Sequence, residues 1–241
     1  MTNNKKDLRP ISDGHGDVIK KTKLQKNQAE VLEELEELLG EPIPEVSKVD
    51  WFTFGAKIED GQLTELGLYK SHLKTLPASI EGLNSLKTLA LGRNEFETFP
   101  EIITRVSSLK TLNLSNNRIS LLPESLSNLI SLRVLTLSHN NLSALPESMG
   151  TLKSLETLAL NNNNLAKLPK SMEDLQSLKA IDLEKNELNT LPDSIGNLTS
   201  LETLKLGMNA LKNIPESIGN LTALRTLTLT ANEISSLPDT M

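Results

Sequence analysis

Side chains that could do chemistry are few in this sequence, and they are widely separated. The histidines are His15, His72 and His139, and no cysteine is present to bind a metal or act as a nucleophile. Gly14-His15-Gly16 lies in a polar stretch and lacks the flanking strand and helix of a dinucleotide site. No Walker loop, nucleophile elbow or His-Glu-x-x-His motif occurs. The sequence therefore predicts a protein that is not an enzyme and has no cofactor or metal.

Charge divides the chain into a basic start and an acidic body. Residues 1–26 hold seven Lys and Arg against three Asp, whereas the whole chain has a net charge of −6. Scattered charges among polar residues are typical of a solvated end, so we predict a disordered basic tail over 1–26. An acidic body lacks the basic stripe of a nucleic-acid groove, and we expect no nucleic-acid partner.

No stretch of the sequence predicts a membrane span or export. There is no run of about 18 apolar residues, and the start from Met1 to Asp7 has no apolar segment. Four Asn-x-Ser/Thr sequons are by-products of a sequence motif that recurs along the chain, and we do not take them as a sign of secretion: Asn113, Asn141, Asn197 and Asn220. We therefore expect a cytoplasmic protein without membrane contact.

Repetition determines the predicted fold. Prolines recur every 23 residues, at Pro77, Pro100, Pro123, Pro146, Pro169, Pro192, Pro215 and Pro238. The same frame precedes each of them, and one copy reads Leu155-x-x-Leu158-x-Leu160-x-x-Asn163-x-Leu165-x-x-Leu168-Pro169. Leu-x-Leu alternates with the period of a strand, so these leucines point inward while the residues between them face out. The proline suits the first turn of a short helix.

This frame resembles the leucine-rich repeat family, with eight copies over residues 63–241 of which the last is incomplete. The resemblance implies an α/β solenoid, a horseshoe with a parallel inner sheet and short helical or 3-10 outer segments. It also implies a ladder of Asn side chains, one from each repeat after the first, where Ser71 replaces Asn. The sequence of the repeats is similar to that of the intracellular 23-residue class, which includes Ras-binding scaffolds and the arrays that precede Roc-type GTPase domains.

Residues 27–62 predict an N-terminal cap made of a helix and a hairpin. Asn27 is the expected start of the helix and Gly40 its expected end. The apolar face of the helix is expected to consist of Val31, Leu32, Leu35, Leu38 and Leu39. Glu59-Asp60-Gly61 predicts the hairpin turn. The aromatic run from Trp51 to Phe54 is expected to cover the open end of the solenoid rather than line a ligand pocket.

No corresponding cap is visible after the eighth proline. A solenoid needs a polar terminal repeat, so we expect a longer native chain or self-association through the uncapped C-terminal end.

Binding to a protein on the inner, concave face is the predicted function, in the manner of a scaffold. Tyr and Arg are favoured at interfaces, so a mildly basic patch on the first three repeats is the better candidate for contact with a partner. An acidic spot on the sixth repeat is the second candidate. The candidate partner-binding residues are Tyr69, Lys70, His72, Arg93, Arg118, His139, Asp182, Glu184 and Glu187. The resemblance leaves an alternative open, a regulatory segment of a larger protein such as a Roc-type small GTPase, with a GTPase-related partner.

Overall fold

The structure, a computed structural model, describes residues 19–240 as one helix, a nine-stranded sheet and a series of 3-10 turns. Helix α1 covers Lys26–Leu39. The strands are β1 Phe54–Glu59, β2 Gln62–Leu68, β3 Thr88–Ala90, β4 Thr111–Asn113, β5 Val134–Thr136, β6 Thr157–Ala159, β7 Ala180–Asp182, β8 Thr203–Lys205 and β9 Thr226–Thr228. The 3-10 helices are Lys21–Lys23, Ala78–Gly82, Glu101–Arg105, Glu124–Asn128, Glu147–Thr151, Lys170–Asp174, Asp193–Asn197 and Glu216–Asn220.

The strands follow one another across the sheet in sequence order, from β1 to β9. β1 and β2 form an antiparallel hairpin, and every later pair is parallel. Leu89 lies opposite Leu112, and Leu135 lies opposite Leu158, so the repeats stack in phase. The predicted solenoid is thereby confirmed. β2 is at once the second strand of the hairpin and the strand of the first repeat, so cap and array share this element.

Aliphatic side chains fill the interior between the sheet and the 3-10 helices. The Leu-x-Leu pairs are fully buried in the middle repeats, as Leu158 and Leu160 illustrate. Each 3-10 helix of the array follows directly after its proline, as Glu124–Asn128 follows Pro123. Because parallel strands pack about 4.8 Å apart and helical segments need more room, the sheet lies on the inner side of the curve.

The asparagine row forms the ladder that the resemblance implies. Asn140 is a representative member: its Oδ1 accepts the N–H of Ile119 at 2.9 Å, in the preceding repeat. Its Nδ2 donates to the carbonyls of Leu114 at 2.9 Å and Leu137 at 3.0 Å. At the first copy, Ser71 is buried and its N–H donates to Asn94 Oδ1 at 3.0 Å. Each buried amide therefore satisfies backbone groups that the turn leaves open.

The cap contains the predicted helix and hairpin, but the helix starts differently. It begins at Lys26, and Gln25 precedes it without a side-chain capping bond. Asn27 was thus the wrong start: its Nδ2 donates instead to the carbonyl of Gly82 at 3.0 Å, in the first repeat. Gly40 ends the helix in the left-handed conformation as predicted. Leu38 of the predicted stripe is 53% exposed, so the buried face is narrower than the pattern suggested.

Residues 19–25, which we assigned to the tail, lie against the cap. Ile19 is buried in the core, and Lys21 Nζ contacts Glu36 Oε2 at 2.5 Å. The structure therefore differs from the predicted boundary at residue 26, and the rest of the predicted tail, 1–18, lies outside the described residues. The basic side chain of Lys21 belongs to the folded body, where a carboxylate of α1 balances it.

In every repeat, the residue just before the ladder position adopts a left-handed backbone. Asn116 and Asn162 tolerate this conformation well, but Met208 also has a φ of 56° there.

We predict that Met208→Asn stabilises the fold by about 0.5–1 kcal/mol, because Asn reduces the backbone strain at this exposed site. Urea unfolding of both proteins measures the difference. The reverse change, Asn162→Met, should destabilise by a similar amount; equal stability of all three proteins would contradict the strain.

Candidate functional site

A loop from the cap, residues 47–53, crosses the inner face of the first repeats; we call it the aromatic loop. The Thr53 carbonyl accepts the N–H of Tyr69 at 3.2 Å, and the N–H of Val49 donates to Glu65 Oε2 at 2.8 Å. Gly67 makes the approach possible, since a Cβ there would lie 2.5 Å from the Thr53 carbonyl oxygen. The loop is therefore fixed to the sheet by backbone contacts.

A tight turn at Asp50 holds the shape of the aromatic loop. Asp50 Oδ1 accepts the N–H of Phe52 at 2.9 Å and the hydroxyl of Thr53 at 2.8 Å. The bond from the Phe52 N–H, followed by that from Thr53, lowers the pKa of the Asp50 carboxyl. The carboxylate is therefore charged at neutral pH and keeps the loop in one conformation.

Two aromatic rings of this loop are exposed, against expectation. Trp51 is 41% and Phe52 61% exposed, whereas the sequence predicted that they would cover the end of the solenoid. The prediction was wrong because the loop turns over the open face of the sheet, and only Phe54 packs against the core. The Phe52 ring meets the Tyr69 ring edge-on, with centroids 5.3 Å apart. Tyr69 is itself buried beneath this contact.

An open hollow of about 250 Å³ begins at these rings and extends over the inner face. Its lining residues are Trp51, Phe52, Tyr69, Gly92, Asn113, Ser115, Asn116, Thr136, Ser138, His139 and Asn161. Asn113 organises the floor: its Oδ1 accepts the N–H of Ser115 and the hydroxyl of Thr136, both at 2.9 Å. The hollow thus joins an aromatic wall to a floor of amides and hydroxyls, which suits a peptide segment.

Trp51 also borders a second hollow of about 310 Å³, on the side where the strands begin. Its lining comprises Lys48, Val49, Asp50, Trp51, Glu65, Thr88, Ala90 and Thr111. Sequence reasoning missed both hollows, because neither the path of the aromatic loop nor its exposed tryptophan could be inferred from the pattern of apolar residues.

The predicted basic patch does not form one surface. Tyr69 lies under Phe52, while Lys70 and Arg93 occupy left-handed positions at the strand ends. His139, a candidate outside this patch, occupies the same position two repeats after Arg93. His139 also lines the first hollow. The remaining two members, His72 and Arg118, lie beyond the ladder and outside the sheet.

Carboxylates accompany both of these outer residues. His72 Nδ1 lies 2.9 Å from Glu95 Oε1, and the Arg118 guanidinium lies 4.0 Å from Glu97. The hydrogen bond with His72 lowers the pKa of Glu95, so that carboxylate is charged at neutral pH. The patch is therefore partly neutralised, and only Tyr69 and His139 of the predicted set adjoin the hollow.

The predicted acidic spot on the sixth repeat is also divided. Asp182 Oδ2 lies 3.3 Å from Lys205 Nζ, and Glu184 Oε1 accepts the hydroxyl of Thr228 at 3.2 Å. Glu187 lies outside the sheet, where its Oε1 accepts Asn164 Nδ2 at 3.1 Å. These carboxylates already have partners in other repeats of this chain, which argues against a role for them in binding another protein.

Two family profiles match the array. The leucine-rich repeat region profile matches residues 120–237, and the leucine rich repeat profile matches 61–119 and 97–142. The chain belongs to the leucine-rich repeat family. Members of this family are typically binding modules that mediate protein–protein interaction. No curated protein sequence matches the chain.

Solved leucine-rich repeat structures have the same architecture. A leucine-rich repeat protein of Leptospira interrogans is 40% identical, with a TM-score of 0.71, and the match covers 72% of this chain and 44% of that one. The PEPR1–AtPEP1 crystal structure is 34% identical, with a TM-score of 0.66 and coverage of 76% and 27%.

The ectodomain of the receptor kinase GASSHO1/SCHENGEN3 from Arabidopsis thaliana, in complex with CASPARIAN STRIP INTEGRITY FACTOR 2, supports the fold alone. It is 24% identical, with a TM-score of 0.64 and coverage of 78% and 27%. The match spans less than half the length of each of these three proteins.

The described part of the chain contains neither a membrane-spanning helix nor a metal cluster. Between residues 19 and 240, no helix is long and apolar enough to cross a membrane. Over the same residues, no three His, Asp or Glu side chains come together as a metal site would require.

Proposed function

We propose that the chain is an intracellular, non-catalytic module that binds a protein partner on its inner face, at the aromatic loop and the hollow beside it. The exposed Trp51 and Phe52 on an anchored loop carry this proposal. Tryptophan and tyrosine dominate the binding energy of many interfaces, and rings held in place in advance lose little entropy on binding. The similarity to the PEPR1–AtPEP1 structure supports a protein partner.

The test removes both exposed rings in Trp51→Ala/Phe52→Ala. Proteins captured from the native cell by the wild-type chain are identified, and binding of a purified candidate is measured by calorimetry. We expect the double variant to lose about 2 kcal/mol, roughly 30-fold in Kd. The matched control is Leu121→Ala/Ile130→Ala, which removes two apolar side chains that are each 64% exposed elsewhere. Equal loss in both variants, or none in the first, would exclude the aromatic loop as the site.

A second candidate is a regulatory repeat segment of a larger protein, such as a Roc-type GTPase. The leucines of the last repeat favour it, because Leu227 and Leu229 are only partly buried and Leu237 is 57% exposed. A further repeat or domain would cover them, as would a second copy of this chain. The mass of the endogenous protein on an immunoblot separates the possibilities: a band near 26.5 kDa would argue against the larger protein.

A further inference from the structure

One edge of the inner face carries three cations at the same frame position of consecutive repeats: Lys87, Lys110 and Arg133, which we call the basic column. The N–H of Lys110 donates to the carbonyl of Lys87 and that of Arg133 to the carbonyl of Lys110, both at 2.8 Å. The three residues are therefore direct neighbours, about 4.8 Å apart from strand to strand. All three side chains are exposed.

Carboxylates among residues 19–240 balance the column only in part. Lys87 Nζ lies 4.0 Å from Glu59, and no ion pair joins Lys110 to a carboxylate of residues 19–240. Arg133 contacts Glu156 at 3.1 Å, but Glu156 also holds Lys179 at 2.8 Å. One oxygen of Glu156 contacts Arg133 and the other contacts Lys179, so a single carboxylate serves two cations.

The later repeats show what the same frame position looks like when charges are balanced within the chain. There the residues alternate in sign as Glu156, Lys179, Glu202 and Arg225. Lys179 pairs with Glu156 at 2.8 Å, and Arg225 lies 3.9 Å from Glu202. Like charges on adjacent strands repel, so the basic column opposes folding slightly instead of supporting it. The excess positive charge of the column, centred on Lys110, is available to a partner.

The basic column adjoins the hollow at Trp51. Thr88 and Thr111 directly follow Lys87 and Lys110 in the chain, and both line that hollow. The two carboxylates in its lining are already engaged. Glu65 accepts the N–H of Val49 at 2.8 Å and contacts Lys57 at 3.3 Å, while Asp50 holds the turn of the aromatic loop. A segment that places an apolar side chain against Trp51 therefore passes beside the column and meets net positive charge.

We propose that the basic column recognises an acidic, extended segment of the protein partner, with two carboxylates near an aromatic or aliphatic side chain that contacts Trp51. In an extended chain, side chains on one side recur about every 6.6 Å, so two acidic residues fit within the column, which is about 9.6 Å long. Charge complementarity of this kind selects the partner and speeds its association. This inference rests on the proposed function and specifies the partner of that site.

The probe is a display library of random 12-residue peptides, selected on the wild-type chain. We expect enriched peptides to combine Asp or Glu pairs with an apolar residue, and to bind about tenfold more weakly in 0.5 M than in 0.05 M salt. In Lys110→Glu, their affinity should fall at least about tenfold. This variant places a carboxylate between Lys87 and Arg133, so its melting temperature should equal or exceed that of the wild type.

The matched control is Lys212→Glu, which makes the same charge change at an exposed lysine outside the sheet and should bind the peptides unchanged. Enriched peptides without acidic residues, or full binding by Lys110→Glu, would overturn the acidic partner and leave the proposed function intact. Failure to enrich any peptide would count against both proposals. Binding of oligouridine or heparin in place of peptides would identify a polyanion that is not a protein, and would also overturn both.

Discussion

Replacing Asn140 with Leu is expected to destabilise the folded chain by about 3–5 kcal/mol, although the two side chains are similar in size. The change leaves the N–H of Ile119 without a partner. It also removes one of two amide donors from each of the carbonyls of Leu114 and Leu137, which keep their bonds to Asn117 and Asn163. Asn140 is only 6% exposed, so water has little access to replace these bonds. The unsatisfied N–H costs about 1–3 kcal/mol, each of the two lost bonds to a carbonyl costs about 0.5–1.5 kcal/mol, and local rearrangement recovers part of the sum. Denaturation in urea, followed by circular dichroism, measures the loss.

The neighbouring residue provides the control for this prediction. Asn141 is exposed, and its side chain makes one long bond of 3.4 Å to the Arg118 carbonyl. The same substitution at this position, Asn141→Leu, should change stability by less than about 0.5 kcal/mol. If the two variants proved equally stable, the ladder would contribute little and the leucine core alone would hold the repeats in phase.

The repeated part of the fold follows from the sequence because each residue in a frame meets the same surroundings as its counterpart one repeat away. A 23-residue phase without insertions dictates that Leu112 pairs with Leu89 and Leu135, and the structure has this register. The inward Asn is equally predictable, since a polar residue at a fixed buried position must bond to backbone that recurs with it.

The cap is less predictable because its contacts join residues that are distant in the chain. Asn27 has the composition of a helix start, but its amide bonds to Gly82, 55 residues later. Leu38 lies on the apolar stripe of α1, yet no element of the described chain covers it. Local patterns identify the helix and the hairpin, while tertiary contacts decide their ends and their buried faces.

The candidate site was only partly visible for the same reason. The run from Trp51 to Phe54 is apolar, and apolarity alone predicts burial; the close approach of Thr53 to Gly67 is what turns Trp51 and Phe52 outward. The candidate residues predicted from the sequence lie at or after the ends of the strands, and Lys87, which precedes β3, was not among them. Comparing each frame position for its sign of charge would have revealed three consecutive cations at the position of Lys87.

Leu158→Ala is expected to cost about 3–5 kcal/mol, and Leu227→Ala, at the same frame position, only about 1–2 kcal/mol. Leu158 is fully buried between β5 and β7, which flank its own strand β6. Leu227 lies on β9, whose one neighbour among the described residues is β8, and it is only partly buried. In a solenoid each repeat is stabilised by its immediate neighbours, so a leucine in a repeat with one neighbour makes fewer packing contacts that a substitution can remove. Urea unfolding of the two variants at low protein concentration gives both costs.

The difference between these two costs also reports on what covers β9. A second copy seated on the exposed leucines would bury Leu227, and its substitution would then cost nearly as much as that of Leu158, increasingly so at higher protein concentration. A cost for Leu227→Ala that is small and independent of concentration would exclude such self-association for this chain. A cost that is large even in dilute monomer, as established by sedimentation, would contradict the nearest-neighbour argument itself. It would mean that the last repeat is held by more than β8, and that stability is distributed along the array rather than between adjacent repeats.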